Sequence, residues 1–282
     1  MRRFIFIALI LAAAAAGVYV GLHRGARTAK PSGPALEVTF TDATLGNAII
    51  IQTPEGRFAV VDPGPRETAQ SLAARLTSMG ARSLDVIITS PTEKHMGAVD
   101  ALVAAFKVKR IIHGELLMWN KPKGVPELVL SRGDSIHLAR GTKLEVMGPP
   151  KGLLAKVAHS TDNNSLITRI RFGQTSFLLA SDARTEAEAE LMRSEVDLAS
   201  TVLLAARQGR AGGTTLEWLS MVRPQYCVIQ VGRRSDRPSR SVLTRLDTQA
   251  TGAALYRTDR DGSVKMISDG RAITVETGGG QP

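Results

Sequence analysis

The segment Thr89-Ser90-Pro91-Thr92-Glu93-Lys94-His95-Met96-Gly97 is the part of this chain best placed to carry chemistry. It follows the apolar run Val86-Ile87-Ile88 and precedes a helix-like stretch, Ala98–Phe106. A metal or a nucleophile is the chemistry to test there. A catalytic zinc takes about three protein ligands and leaves a position for water. One His stands in this loop, and Lys94 beside it has no lone pair and repels a divalent cation. Ser90 lies near His95, but no supporting motif makes the two an acyl-transfer site. Cys227 is the single cysteine and sits in the apolar run Tyr226-Cys227-Val228-Ile229. Being alone, it excludes an intramolecular disulfide and a Cys-based metal motif, and its setting reads as that of a small buried hydrophobe.

The remaining polar candidates are scattered. His113, His137 and His159 lack ligand spacing and read as ordinary surface or strand residues. Asp182 precedes a helical pattern from Thr185 and suits a helix cap. Asp42 and Asn47 suit a turn at a strand end. Gly209–Gly213 has no Lys-Ser/Thr pair of the phosphate-loop kind. Arg207, Arg210, Arg233, Arg234, Arg237 and Arg240 fall in loops near one another in sequence. They would make either a basic rim able to hold a phosphate backbone or a solvated face.

Short apolar strands and amphipathic helices must position these groups. Strands are expected at Leu36–Phe40, Ala48–Gln52, Phe58–Val61, Leu84–Thr89 and Lys109–His113. Ala69, Leu72, Ala73, Leu76 and Met79 recur at helical spacing, with Gly80 as a stop. Hairpins are expected over Gly133–Leu138 with Thr142–Met147, and over Ser165–Arg171 with Thr175–Ala180. Helices follow at Thr185–Ser194, Thr214–Val222 and Ser239–Ala250. Further strands are expected at Gln225–Val231, Ala254–Arg257, Val264–Ser268 and Ala272–Glu276. Two strand-rich halves, each closed by helices, predict a four-layer α/β/β/α sandwich.

The N-terminus reads as an address. Arg2-Arg3 precede Phe4–Leu22, an uncharged stretch about as long as a membrane-crossing helix. The layout also fits a signal sequence, with its basic start and Ala-rich end. Apolar character through Val18, Tyr19, Val20 and Leu22 favours an anchor over a cleaved signal, and both imply an exported body. Residues 1–30 are thus expected to be the anchor and linker, and residues 31–282 one domain. The net charge is +10, and five of those charges lie in residues 1–30, which contain no acid. The rest permits nucleic-acid affinity without requiring it.

Several short motifs, taken in order, resemble the metallo-β-lactamase-like domain of the competence DNA-uptake protein family. Phe40-Thr41-Asp42-Ala43-Thr44-Leu45-Gly46-Asn47-Ala48-Ile49 is similar to its opening F-x-D-V-G-Q-G-D-A-I. Val61-Asp62-Pro63-Gly64, Asn163-Asn164-Ser165-Leu166, Leu178-Leu179-Ala180-Ser181-Asp182 and Tyr256-Arg257-Thr258-Asp259-Arg260-Asp261-Gly262 resemble later segments. The resemblance runs from about Leu36 to Thr277 and implies a metallo-β-lactamase-like sandwich.

It also implies where a metal site would lie, and there the chain departs from the pattern. The family's S-H-P-D-x-D-H-x-G-G loop places its first His on Ser90, its first Asp on Thr92 and its second Asp on Lys94. Its P-H-H-G-S falls on Ala206-Arg207-Gln208-Gly209-Arg210, and a later G-H-P on Asp236-Arg237-Pro238. Only His95 and Asp182 survive, with Asp62 as a supporting carboxylate. No cofactor is then expected, and the body reads as a non-catalytic binding or scaffold module. Its partners would be DNA or another anionic polymer, or other membrane or competence proteins. Lys94, Arg207 and Arg237, with Arg210, are expected beside Asp182 and Asp62, replacing the metal's charge. The alternative is a phosphodiesterase or nuclease with an altered mononuclear zinc site on His95 and Asp182, helped by Asp62 or Asp236.

Overall fold

The computed structural model describes residues 33–43, 48–117, 119–232, 236–247 and 251–278. The expected anchor at residues 4–22 lies outside them, as do residues 44–47 of the opening motif and Arg233 and Arg234. Among the described residues no helix is long and apolar enough to cross a membrane.

Two mixed sheets face one another. The first contains β1 (Leu36–Phe40), β2 (Ile49–Gln52), β3 (Phe58–Val61), β4 (Ser83–Ile88), β5 (Lys107–His113), β6 (Glu127–Val129), β14 (Val264–Ser268) and β15 (Ile273–Thr277). Its spatial order is β15-β14-β1-β2-β3-β4-β5-β6. The second contains β7 (Ser135–Ala139), β8 (Thr142–Gly148), β9 (Ile167–Phe172), β10 (Thr175–Leu179), β11 (Val202–Leu204), β12 (Tyr226–Ile229) and β13 (Ala254–Arg257). Its order is β13-β12-β11-β10-β9-β8-β7.

The apolar runs follow from burial on both faces. Ile87 of β4 enters the core between the sheets, while Val86 and Ile88 face the helices outside the first sheet. Phe177 and Leu179 of β10 meet that same inter-sheet core, and Leu178 and Ala180 face the helices outside the second. On the first sheet the outer layer is α1 (Ala69–Ser78), α2 (Glu93–Met96) and α3 (Val99–Ala105). Leu72 and Leu76 of α1 and Val99 and Leu102 of α3 bury there. A one-turn helix, α4 (Ser160–Asn163), precedes β9. On the second sheet the outer layer is α5 (Thr185–Arg193), α6 (Leu216–Val222) and α7 (Arg240–Arg245), which contribute Leu191, Trp218, Val222 and Val242. The four-layer α/β/β/α expectation therefore holds for the described residues.

Local differences have local causes. The helix expected over Ala98–Phe106 is α3, and the sequence did not show the one-turn α2 before it, which Gly97 and Ala98 separate from α3. A Cβ at Gly97 would lie 2.8 Å from the Arg66 backbone nitrogen and 2.0 Å from Glu93 Oε1. The glycine thus lets the loop after β3 press on α2. The helix expected from Thr214 starts at Leu216, because Thr215 is its cap and accepts from the Trp218 N–H at 3.2 Å. Glu188 is fully buried and accepts from the backbone N–H groups of Thr214 and Thr215. That clamp fixes the loop carrying Arg207 to α5.

Candidate functional site

Parallel strands supply the site from their C-terminal ends. In the first sheet β3 and β4 run parallel, and in the second β10, β11 and β12 do. The loop after β3 carries Asp62, the loop after β4 carries Thr89 and leads into α2 with His95, and the turn after β10 carries Ser181 and Asp182. Gln208 follows β11, and Gln230 follows β12. Ligand sites of open α/β sheets lie at this kind of edge.

The loops are latched by hydrogen bonds. Asp62 Oδ1 accepts from the Thr89 N–H at 2.8 Å, and Asp62 Oδ2 accepts from Thr89 Oγ1 at 2.5 Å. Thr89 Oγ1 also lies 2.6 Å from Ser181 Oγ, across the two sheets. The Arg207 N–H donates to the Ser181 carbonyl at 2.8 Å. Asp62, Ser181, Arg207 and Gln208 all have positive φ, from 49° to 57°. Each costs about 1 kcal/mol for a residue with a Cβ. Their gathering at one cleft marks a shape held by its surroundings.

At the centre His95 bridges two carboxylates. Its Nδ1 lies 2.9 Å from Asp62 Oδ2 and its Nε2 lies 3.0 Å from Asp182 Oδ2. The Nδ1 contact has hydrogen-bond length, but the ring N–H is not aligned along it. It is better described as an ion contact than a directed bond. All three side chains are mostly buried, at 12 to 16% exposure. Burial alone would lower the His95 pKa. The Asp62 charge and the contacts with Asp182 outweigh burial and raise it to about 10. Burial alone would raise the Asp182 pKa, but the His95 bond and charge hold it below the usual range. The bridge is therefore an imidazolium between two carboxylates at neutral pH.

This corrects the expected pairing. Lys94 and Arg207 act on Asp182 only as more distant charges. The ionic partner of Arg207 is Asp162, at 3.6 Å. Arg237 contacts Asp236 at 3.4 Å and donates to Gln208 Oε1. Arg210 lies 3.6 Å from Asp236 on an exposed rim, where Arg240 is also exposed. Asp182 does not cap α5, whose cap position is Arg184 and has no side-chain cap bond. Asp42 is joined to Ser263 of a distant loop, so it does more than shape a local turn. His113 is buried against the Gly114 carbonyl and Glu127.

The cleft around the bridge is lined by Lys94, Ser181, Gln208 and Gln230 as well as the three central groups, and has about 40 Å³ of room. That accommodates a few waters. Ser181 and Gln230 were missed in the sequence. Ser181 adjoins Asp182 in a strand-ending turn, which was its available signal. Gln230 spans the cleft by donating to the Thr41 and Ala48 carbonyls at 2.8 and 2.9 Å, and nothing in its local sequence announces that.

The donor set does not fit a zinc-hydroxide centre. A metal-bound imidazole needs a free lone pair, but both His95 nitrogens face carboxylates. Ser90 Oγ and Thr92 Oγ1, where the resemblance implies ligands, are buried neutral hydroxyls without a hydrogen-bond partner among the described residues. Among the described residues no group of three or more His, Cys, Asp or Glu side chains is placed to hold a metal ion. Asp62, His95 and Asp182 are adjacent, but they face one another and not a common point.

No protein-family model matches the chain. Igni18, a metallo hydrolase from Ignicoccus hospitalis, superposes with a TM-score of 0.50 at 13% identity, over 82% of this chain and 98% of that one. A candidate metal-dependent hydrolase from Parabacteroides distasonis superposes with a TM-score of 0.52 at 15% identity, over 79% and 93%. The chain has the metallo-β-lactamase fold. In sequence, this metallo-β-lactamase-fold chain is 27% identical over 268 residues to ComE operon protein 3 of Bacillus subtilis. The match covers 84% of this chain and 34% of that protein. The chain thus corresponds to about a third of that relative's length. The likeness to solved structures concerns the fold, and the His95 bridge is a feature of this chain's own residues.

Proposed function

We propose that this metallo-β-lactamase-fold chain is a binding module that does not carry out zinc-dependent hydrolysis, and that its ligand is an anionic polymer, nucleic acid foremost. The observation that carries this reading is His95 seated between Asp62 and Asp182, where a cation is needed and the imidazolium supplies it. Lys94, Arg207, Arg210 and Arg237 around the cleft favour an anionic ligand. The motifs shared with the competence DNA-uptake family favour nucleic acid, and that support is an analogy.

Metal content and turnover test the first part. Residues 31–282, purified without chelator, should hold far less than one equivalent of zinc, manganese or iron. They should not cleave a generic phosphodiester above background. Stoichiometric metal together with turnover abolished by His95→Ala would establish the hydrolase alternative on His95, Asp182 and Asp62. Asp236 has no place in that alternative, since it is 75% exposed and lies beside Arg210 and Arg237.

We also propose that residues 4–22 tether the module to a membrane, with its body extracytoplasmic. The length and lack of charge of the run behind Arg2-Arg3 support the tether, while Arg24, Arg27 and Lys30 beyond it give the positive-inside rule no clear side. The full chain should stay with membranes through alkaline carbonate extraction and be degraded by protease added to spheroplasts. Release into the soluble fraction in full-length form would overturn the tether.

A further inference from the structure

Next to the bridge, Arg207 belongs to a second charged group, with Arg184 and Asp162. Arg184 Nη1 donates to Asp162 Oδ2 at 3.3 Å, and Arg207 Nε lies 3.6 Å from the same oxygen. Two guanidiniums therefore share one oxygen of one carboxylate. They are mostly buried, at 19% and 12% exposure, while Asp162 is 29% exposed. Arg207 also donates from Nη1 to the Ala211 carbonyl. Among the described residues Arg184 donates a hydrogen bond through Nη1, and its buried Nε has no partner.

The surrounding loop keeps the pair close, with Gly212 packed beside both. A Cβ on Gly212 would sit 3.5 Å from Arg184 Nη2 and 3.5 Å from Arg207 Nη1. Gly212 also has φ +85°, which a side chain would strain. The two forks thus converge on one small region of the loop. Lys94 is exposed on the adjoining cleft and has no ion pair among the described residues. Burial and the nearby Arg184 charge both weaken proton binding by Arg207, the mark of like charges crowded together.

We propose that Arg184 and Arg207 form a receptor for one phosphodiester group, with Lys94 at its rim and Asp162 as an internal competitor. Two guanidiniums against one shared carboxylate leave this trio net positive, which suits an anion. Guanidinium forks suit phosphate oxygens because they donate in pairs from a fixed plane. Asp162 occupies donors that the anion would use, so its removal should help binding while removal of either arginine should hurt it.

This inference rests on the anionic-ligand reading above, and two probes separate them. The first is a fluorescein-labelled oligothymidylate of twelve nucleotides, followed by anisotropy at fixed low salt. The second is dimethyl phosphate, followed by chemical-shift perturbation. Asp162→Asn should tighten oligonucleotide binding by about 5-fold, and Arg184→Gln or Arg207→Gln should weaken it by about 10-fold or more. A gain of affinity in Asp162→Asn cannot come from misfolding. Oligonucleotide binding that none of these variants alters would overturn the receptor and leave the polymer reading standing. Dimethyl phosphate binding with the same variant order, without oligonucleotide binding, would keep the receptor and remove the polymer. Binding of neither probe would remove both.

Discussion

Between pH 6 and pH 9 the protein should lose about 3 kcal/mol of stability through His95 alone. The folded pKa is raised to about 10 from the ordinary histidine value of 6.5. A raised pKa means the folded state holds the proton more tightly than the unfolded chain. The stabilisation is therefore complete below about pH 6.5 and drains away as pH climbs through 10. The Asp182 shift is the other side of the same contact and is not counted twice. Its sign governs the acid limb, where stability falls once pH drops below the usual carboxylate range. Cys227, whose thiol burial pushes up to about 12, adds a smaller loss that begins near pH 9. Urea midpoints across this range, in wild type and in His95→Ala, separate the two. The variant should keep only the smaller slope. Equal wild-type midpoints at pH 6 and pH 9 would mean that folding does not raise the His95 pKa.

His95→Ala should itself cost about 3–5 kcal/mol at pH 6. The loss comes less from the missing ring than from what remains. Asp62 and Asp182 would be left mostly buried, with no cation between them. Asp62 would still accept from Thr89, but Asp182 would retain only the remote charges of Lys94 and Arg207. Adding Asp182→Asn should then recover part of the loss, because the second change removes an unpaired charge. In a wild-type background Asp182→Asn should instead destabilise. A double-mutant cycle at pH 6 reads this coupling directly. Additive effects would show that the three groups do not act as a unit.

The sandwich was legible because its central strands are buried on both faces. Val86-Ile87-Ile88 and Phe177-Leu178-Leu179 stay apolar without alternation for that reason, and each announces itself in sequence. Shorter pieces did not. β6 is three residues and only half-buried, and α4 is a single turn. β11 lay unassigned inside the apolar run after Thr201. The positions of the site were legible as well, since the loops after β3, β4 and β10 carry Asp62, His95 and Asp182 as the resemblance implied. Who pairs with whom was not. Counting lost ligands favours the permanently charged Lys94, Arg207 and Arg237 as replacements for a metal. Histidine is ordinarily neutral at pH 7, and only the approach of two carboxylates from separate loops makes His95 the cation. Arg207 was drawn away by Asp162, and that contact depends on a one-turn helix no periodicity reveals.

The His95 bridge also has a kinetic meaning. Asp62 and Asp182 are separated by about 120 residues and belong to loops of different sheets. A contact that requires both sheets to be in place is expected among the last to form. Such late contacts leave the folding rate nearly unchanged and slow the way out. The imidazolium then works as a latch on an assembled sandwich, and removing it should show mainly as faster escape from the native state.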